Sequence, residues 1–257
     1  MDPPLLALLF ALSTVIGCVA AVMGVGGGLF IVPALTLFDV PLREAAGAGL
    51  VCTLATSAAG SVALDKARLS IACLVVQLEL AAGVGVLIGA YVLAAVLPER
   101  VVAGTFAVFV LYAAARLHRR RPASEDAPAA AEAPGARLLG WAGFAGAGLL
   151  CGVLGIGGGP FKVPLQTELL RVPLRVALAN SNLMVGITGA VGAAAYYGNG
   201  WISAGVSAPC ALGTAAGAYV GGLLAPRIPA HRLRVAFVGL LLLVAGRMAW
   251  KALAPAG

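Results

Sequence analysis

The chain has 257 residues, 61% of them hydrophobic and 11% charged, with a mean hydropathy of +1.01 and a net charge of +7. That much apolar surface exceeds what a water-soluble domain of this size can bury, so a soluble fold is excluded and lipid is the expected solvent. Most Lys and Arg residues fall at the ends of apolar runs, where they meet lipid headgroups and fix orientation, and they form no nucleic-acid patch.

The chain opens MDPPLLALLFALSTVIGC, with Asp2 where a signal peptide would carry positive charge, so no cleaved signal is expected. The VIGC ahead of Cys18 matches a lipoprotein processing box only by coincidence, since the apolar run continues beyond it. Four membrane-crossing units follow, at 5–38, 45–64, 70–97 and 100–117. Residues 116–137, RLHRRRPASEDAPAAAEAPGAR, then switch to Ala, Pro and charge, a composition that cannot bury enough apolar area to fold. Four more units come at 138–170, 176–197, 202–225 and 231–251.

The second set repeats the first. GVGGGLFIVP at 24–33 recurs as GIGGGPFKVP at 155–164, VPLRE at 40–44 as VPLRV at 172–176, and GAYV at 89–92 as GAYV at 217–220. Thr56 corresponds to Thr188, and Arg116 to Arg247. The expected fold is an all-α polytopic membrane protein of two parallel four-span repeats, since an even number of crossings gives both copies the same orientation. Residues 1–117 form repeat 1, 118–137 a flexible cytoplasmic linker and 138–257 repeat 2, with both termini cytoplasmic by the positive-inside count.

The first unit of each repeat is expected to break at its GxGGG motif. A straight helix over 5–38 would measure about 50 Å, far more than a hydrocarbon core of about 30 Å. Gly26, Gly27 and Gly28, with Gly157, Gly158 and Gly159 in the second copy, mark the interruptions. Broken backbone at membrane depth is tolerated only under protein or beside a wet cavity. Helices restarting at Leu29 and Pro160 would aim bare N–H groups and positive dipole ends at a small anion. The alternative is that the triplets only allow close packing, the role assigned to Gly213, Gly217 and Gly221.

Ionisable residues inside the membrane are costly and are functional candidates. Lys162 stands where the first copy has Ile31, one turn past the second break, and would add positive charge to the anion site; the alternative is a lysine snorkelling to the interface. Glu79, near Gln77, is the candidate for a coupled proton, or else a partner for Lys162. Glu168, beside Arg171, reads as an end-of-helix charge. Asn180, Ser181 and Asn182 form a polar cluster suited to lining a cavity. Thr56 and Thr188 are hydroxyl candidates, although Thr53, Thr56, Ser57 and Thr188 also suit bonds to the preceding turn's carbonyl.

The five cysteines, at 18, 52, 73, 151 and 210, lack CxxC spacing and read as packing residues. No metal cluster, Ser/His/Asp set or haem motif is seen, and His118 and His231 fall in the linker and at a helix start, so no enzyme, cofactor or metal is expected.

The paired segments GVGGGLFIVPALTLFDVPLREAAGAG and GIGGGPFKVPLQTELLRVPLRVALANS, with GAYVGGLLAPRIPAHRLRVAFVGLLLLVAG closing the second half, resemble the TauE/SafE family of sulfite exporters. The resemblance covers nearly all of the chain outside the linker. It implies a secondary transporter moving sulfite or small organosulfur anions such as sulfonates out across the bacterial inner membrane. Family members commonly carry a Gly-Thr-Ser-like triplet after the first loop. Here Gly47, Ala48 and Gly49 stand in one copy and Ala179, Asn180 and Ser181 in the other, which moves the expected substrate contact to the second half, with Lys162. Expected partners are the small anion and the bilayer, and a homodimer is compatible with this. Two other mechanisms remain open: a passive anion channel, and a thiosulfate-type relay through Cys18 and Cys151, which flank the breaks.

Overall fold

The computed structural model describes residues 3–23, 25–64, 72–93, 134–166, 170 and 174–224, with short pieces between 96 and 115 and between 239 and 246. All regular structure among these residues is helical. The linker through 133 and most of the units at 100–117 and 231–251 lie outside the described residues.

The helices are α1 (Pro3–Met23), α2 (Gly28–Leu37), α3 (Leu42–Leu64), α4 (Ala72–Ile88), α5 (Pro134–Leu154), α6 (Gly159–Pro164), α7 (Leu174–Gly198) and α8 (Ala204–Leu224). A π-helical turn, Gly89–Leu93, extends α4. α1, α3, α7 and α8 run 21, 23, 25 and 21 residues, about 32–38 Å at 1.5 Å per residue, which matches a hydrocarbon core of about 30 Å with some tilt. Of these, α1 alone among the described residues combines crossing length with sufficient apolarity throughout, over Pro4–Val22. The others dilute their apolar residues with polar and small ones, among them the buried Thr53 and Thr56 of α3, Asn180 and Asn182 of α7 and Thr214 of α8.

α1 ends at Met23 and α2 begins at Gly28, one residue before the expected Leu29, while α5 ends at Leu154 and α6 begins at Gly159, one before the expected Pro160. α5 begins at Pro134, inside the stretch assigned to the linker, because proline is favoured in a first turn whose N–H groups have no partners.

α3 and α7 pack on each other at the centre. α8 packs on α3, and α4 on α7. Outside these lie two close pairs, α1 with α8 and α4 with α5, while α2 rests on α3 and α6 on α7. Small residues set the closeness of the outer pairs. A Cβ at Gly213, Gly217 or Gly221 would strike the carbonyls of Phe10, Thr14 or Cys18, and one at Gly85 or Gly148 would strike Ala145 or Ala82 across the α4–α5 contact.

The outward face of α4 carries Val76, Leu80, Val84, Leu87 and Tyr91, with Leu80 63% and Val84 59% exposed, while Leu78, Glu79, Ala82 and Val86 point inward. A continuous apolar stripe turned away from the core is the surface that lipid covers. Near one end of α7, Trp201 packs edge-on to Tyr196, ring centroids 5.2 Å apart, and lies under the guanidinium of Arg43 at 5.1 Å. Such an aromatic and cationic grouping suits a headgroup level.

The α1–α8 contact yields a direct test. Gly217→Leu should overpack that seam and cost about 1–3 kcal/mol, read as a lowered midpoint of thermal unfolding in detergent. Gly146→Ala, at a position with nothing within 4 Å of the added Cβ, should leave the midpoint unchanged or raise it slightly.

Candidate functional site

The two interruptions are built alike. At the first, the Val25 N–H reaches back to the Ala20 carbonyl at 3.2 Å, and the N–H groups of Phe30 and Ile31 donate to the Gly27 carbonyl at 3.1 Å. At the second, the Ile156 N–H donates to Cys151 O at 3.2 Å, and Phe161 and Lys162 donate to Gly158 O at 3.0 Å. Gly26, Gly155 and Gly158 have φ of 77°, 68° and 82°, a left-handed backbone that side-chain-bearing residues seldom adopt. Two differences separate them: Gly26 is left-handed where its counterpart Gly157 is not, and Gly27, the counterpart of Gly158, has an ordinary right-handed φ of −64°.

The breaks lie against one another at the α3–α7 crossing. Cβ atoms added at Gly26 and at Gly157 would both run into Thr53 of α3 and Val185 of α7. One at Gly159 would come within 2.6 Å of the Val25 backbone, and one at Gly49 within 2.8 Å of the Gly155 carbonyl oxygen. Gly26, Gly27, Gly28, Gly157, Gly158 and Gly159 are all buried.

The expectation of wholly bare N–H groups is corrected at the first break, where Gly28 N–H donates to Thr53 Oγ1 at 3.0 Å. A buried N–H requires an acceptor, and the α3 hydroxyl is within reach. Both N-cap residues, Gly27 and Gly158, are glycines and offer no side-chain cap of their own. Thr56 turns its hydroxyl to the Cys52 carbonyl at 2.7 Å, the bond to the preceding turn that its position in a helix suggested.

Beside the second break is a buried ion pair. Lys162, with no exposed surface, places Nζ 2.8 Å from both oxygens of Glu79, which is 3% exposed. The ammonium also donates to the Met184 carbonyl at 2.9 Å and to the Thr188 hydroxyl, and Thr188 in turn lies against Glu79 Oε1 and donates to Met184 O at 2.8 Å. Lys162 therefore does not snorkel, and of the two readings of Glu79 the lysine partner is the one seen. Among the described residues these two are the buried charged side chains. Cys151 joins them, since a Cβ at Gly158 would lie 2.6 Å from its Sγ and 3.4 Å from Lys162 Cε. Cys18 sits instead at the α1–α8 contact, against Gly221.

The polar cluster of α7 is buried and tied in. Asn180 Nδ2 donates to Gln166 Oε1 at 3.0 Å, and Gln166 Nε2 donates to the Lys162 carbonyl at 3.2 Å. Asn182 Nδ2 donates to the Ser57 carbonyl at 3.4 Å and accepts the Ser57 hydroxyl on its own carbonyl, joining α7 to α3. Ser181 is buried within the same turn. Gln166 was missed in the sequence reading. Its signal was the four-residue spacing from Lys162, which sets both on one helical face.

A chain whose regular structure among the described residues is all helical, with broken helices, a lipid-type surface and a buried ion pair at the break, belongs to the class of membrane transporters. The family model described as sulfite exporter TauE/SafE matches residues 9–248, and the chain belongs to that family. A probable membrane transporter protein of Haemophilus influenzae is 29% identical over 179 residues, 68% of this chain and 65% of that protein. MamO of Magnetospirillum gryphiswaldense, also called a probable membrane transporter protein, is 41% identical over 85 residues, 32% of this chain. The chain spans 13% of the length of MamO. No solved structure matches.

The ion pair predicts strong coupling between its partners. Lys162→Met or Glu79→Gln alone strands one buried charged or polar group and should cost about 3–5 kcal/mol, whereas the double variant should recover most of that loss. Unfolding midpoints of all four proteins in detergent measure this, and strictly additive losses would mean the two side chains do not depend on each other.

Proposed function

We propose that the chain is a secondary transporter that exports sulfite or related small sulfur-containing anions, such as sulfonates, across the bacterial inner membrane by alternating access. The anion is held between the two broken-helix N-termini, mainly by the second half: Gly157, Gly158 and Gly159, Lys162, Asn180, Ser181, Asn182 and Thr188. Gly26, Gly27, Gly28 and Thr56 complete the site from the first half. The observation that carries this is the meeting of the two glycine breaks at the α3–α7 crossing, with a buried ammonium one turn away.

The architecture behind it is two parallel repeats, 1–117 and 138–257, joined by a cytoplasmic linker at 118–137, with both termini cytoplasmic. Support comes from the packing pattern, which maps onto itself when the halves are exchanged. The α1–α8 contact becomes α5–α4, α2–α3 becomes α6–α7, and α3–α7 returns to itself. Two like halves around a central site are suited to rocking against each other to expose it to either side.

Anion selectivity tests the proposal. Protein reconstituted in liposomes should exchange labelled sulfite or methanesulfonate saturably, with sulfate, acetate and chloride competing at least about tenfold less well, a discrimination of about 1.4 kcal/mol. Flux that fails to saturate would favour a channel, and equal indifference to every anion would remove the family's substrate class from this chain.

A further inference from the structure

The geometry points to Glu79 as an internal stand-in for the transported anion, a carboxylate that occupies the oxyanion place on Lys162 and must leave it, taking a proton, whenever substrate binds. This rests on the anion-transporter proposal and adds to it the ion that is coupled and the number carried.

The contacts of the ammonium lead here. A lysine ammonium has three N–H donors. Around Lys162 Nζ stand the two Glu79 oxygens at 2.8 Å, the Met184 carbonyl at 2.9 Å and the Thr188 hydroxyl, so every donor is engaged before any substrate arrives. Met184 O belongs to the α7 backbone, and Thr188 is anchored to that same carbonyl, so neither is easily displaced. Glu79 alone is anionic and held through a side chain. Its two oxygens face the ammonium together and the Thr188 hydroxyl touches one of them, the arrangement two oxygens of a sulfonate or sulfite would adopt.

The balance is simple. Before binding, the site holds ammonium and carboxylate and is neutral. An anion that takes the carboxylate's place leaves Glu79 buried without a counter-ion, a state that costs several kcal/mol unless the group is neutralised by a proton. Ammonium with Glu79 carboxylate, plus one anion and one proton, thus becomes ammonium with the anion, plus Glu79 carboxylic acid. No covalent bond to the substrate forms, and the net charge is zero on both sides. Among the described residues the titratable groups facing Glu79 from packed elements are Lys162 of α6 and Cys151 of α5, while α7 sets the Thr188 hydroxyl against Glu79 and the Met184 carbonyl against the Lys162 ammonium. A monovalent anion therefore crosses together with one proton and without net charge, and the membrane potential does not drive it.

Methanesulfonate, which stays ionised throughout the usable pH range, is the probe. Wild-type proteoliposomes loaded with a pH-sensitive dye should move about one proton per methanesulfonate in the same direction. The rate should change less than about twofold when potassium and valinomycin impose a potential of either sign. Glu79→Gln should lose the proton movement, and any remaining flux should become potential-dependent. Methanesulfonate carried by the wild type without protons and at a rate set by the potential would overturn the proposal whether or not the variant folds. A wild type that carries no sulfur anion at all would instead refute the transporter proposal, and this inference with it.

Discussion

The constraint on which the structure depends is that hydrocarbon cannot satisfy an open backbone amide. Two helix starts buried within the protein therefore have to find their partners there. Here they find them in each other's neighbourhood, at the crossing of α3 and α7. Thr53 accepts the Gly28 N–H, and the Gly27 and Gly158 carbonyls accept the N–H groups of Phe30 and Ile31 and of Phe161 and Lys162. Glycine is required because the second loop and the central helices leave no room for a Cβ. The outer pairs, α1 with α8 and α4 with α5, hold this crossing in place through their own glycine seams.

On this scaffold the asymmetry between the halves becomes meaningful. The two breaks make corresponding backbone hydrogen bonds, yet the first carries Ile31 in the core and the second Lys162. A buried ammonium demands a counter-ion, and α4 supplies Glu79. A pair of charges of this kind is weak as glue, since its desolvation cost offsets most of its attraction. It is well suited to a site where one member is exchanged for a ligand. Gln166, just past α6, and Asn180 of α7 extend the same polar region, so the second half carries most of the polar chemistry.

Much of this was legible in the sequence because it is local. The glycine triplets, the repeat of the motif, the helix lengths and the odd position of Lys162 are all patterns within a few turns. What was not legible depends on contacts between distant residues. Glu79 and Lys162 are 83 residues apart; the sequence offered their pairing as one of two readings of Glu79, and only the contact itself decides between them. Thr53 looked like any hydroxyl bonded to its own helix, and its role emerged only once the Gly28 amide was seen to lie against it. Gln166 was hidden by proximity to charged residues that read as a helix end. Helix boundaries moved by a residue or a turn wherever glycine or proline permitted more than one start.

The most direct test of the central claim is to locate the anion. Selenite has the shape of sulfite and scatters anomalously, so crystals grown with it and measured at the selenium edge would mark the site. The account predicts a peak between the two glycine breaks, with an oxygen about 3 Å from Lys162 Nζ and Glu79 turned away. Selenium density remote from the α3–α7 crossing, with the Lys162–Glu79 pair still closed, would contradict it.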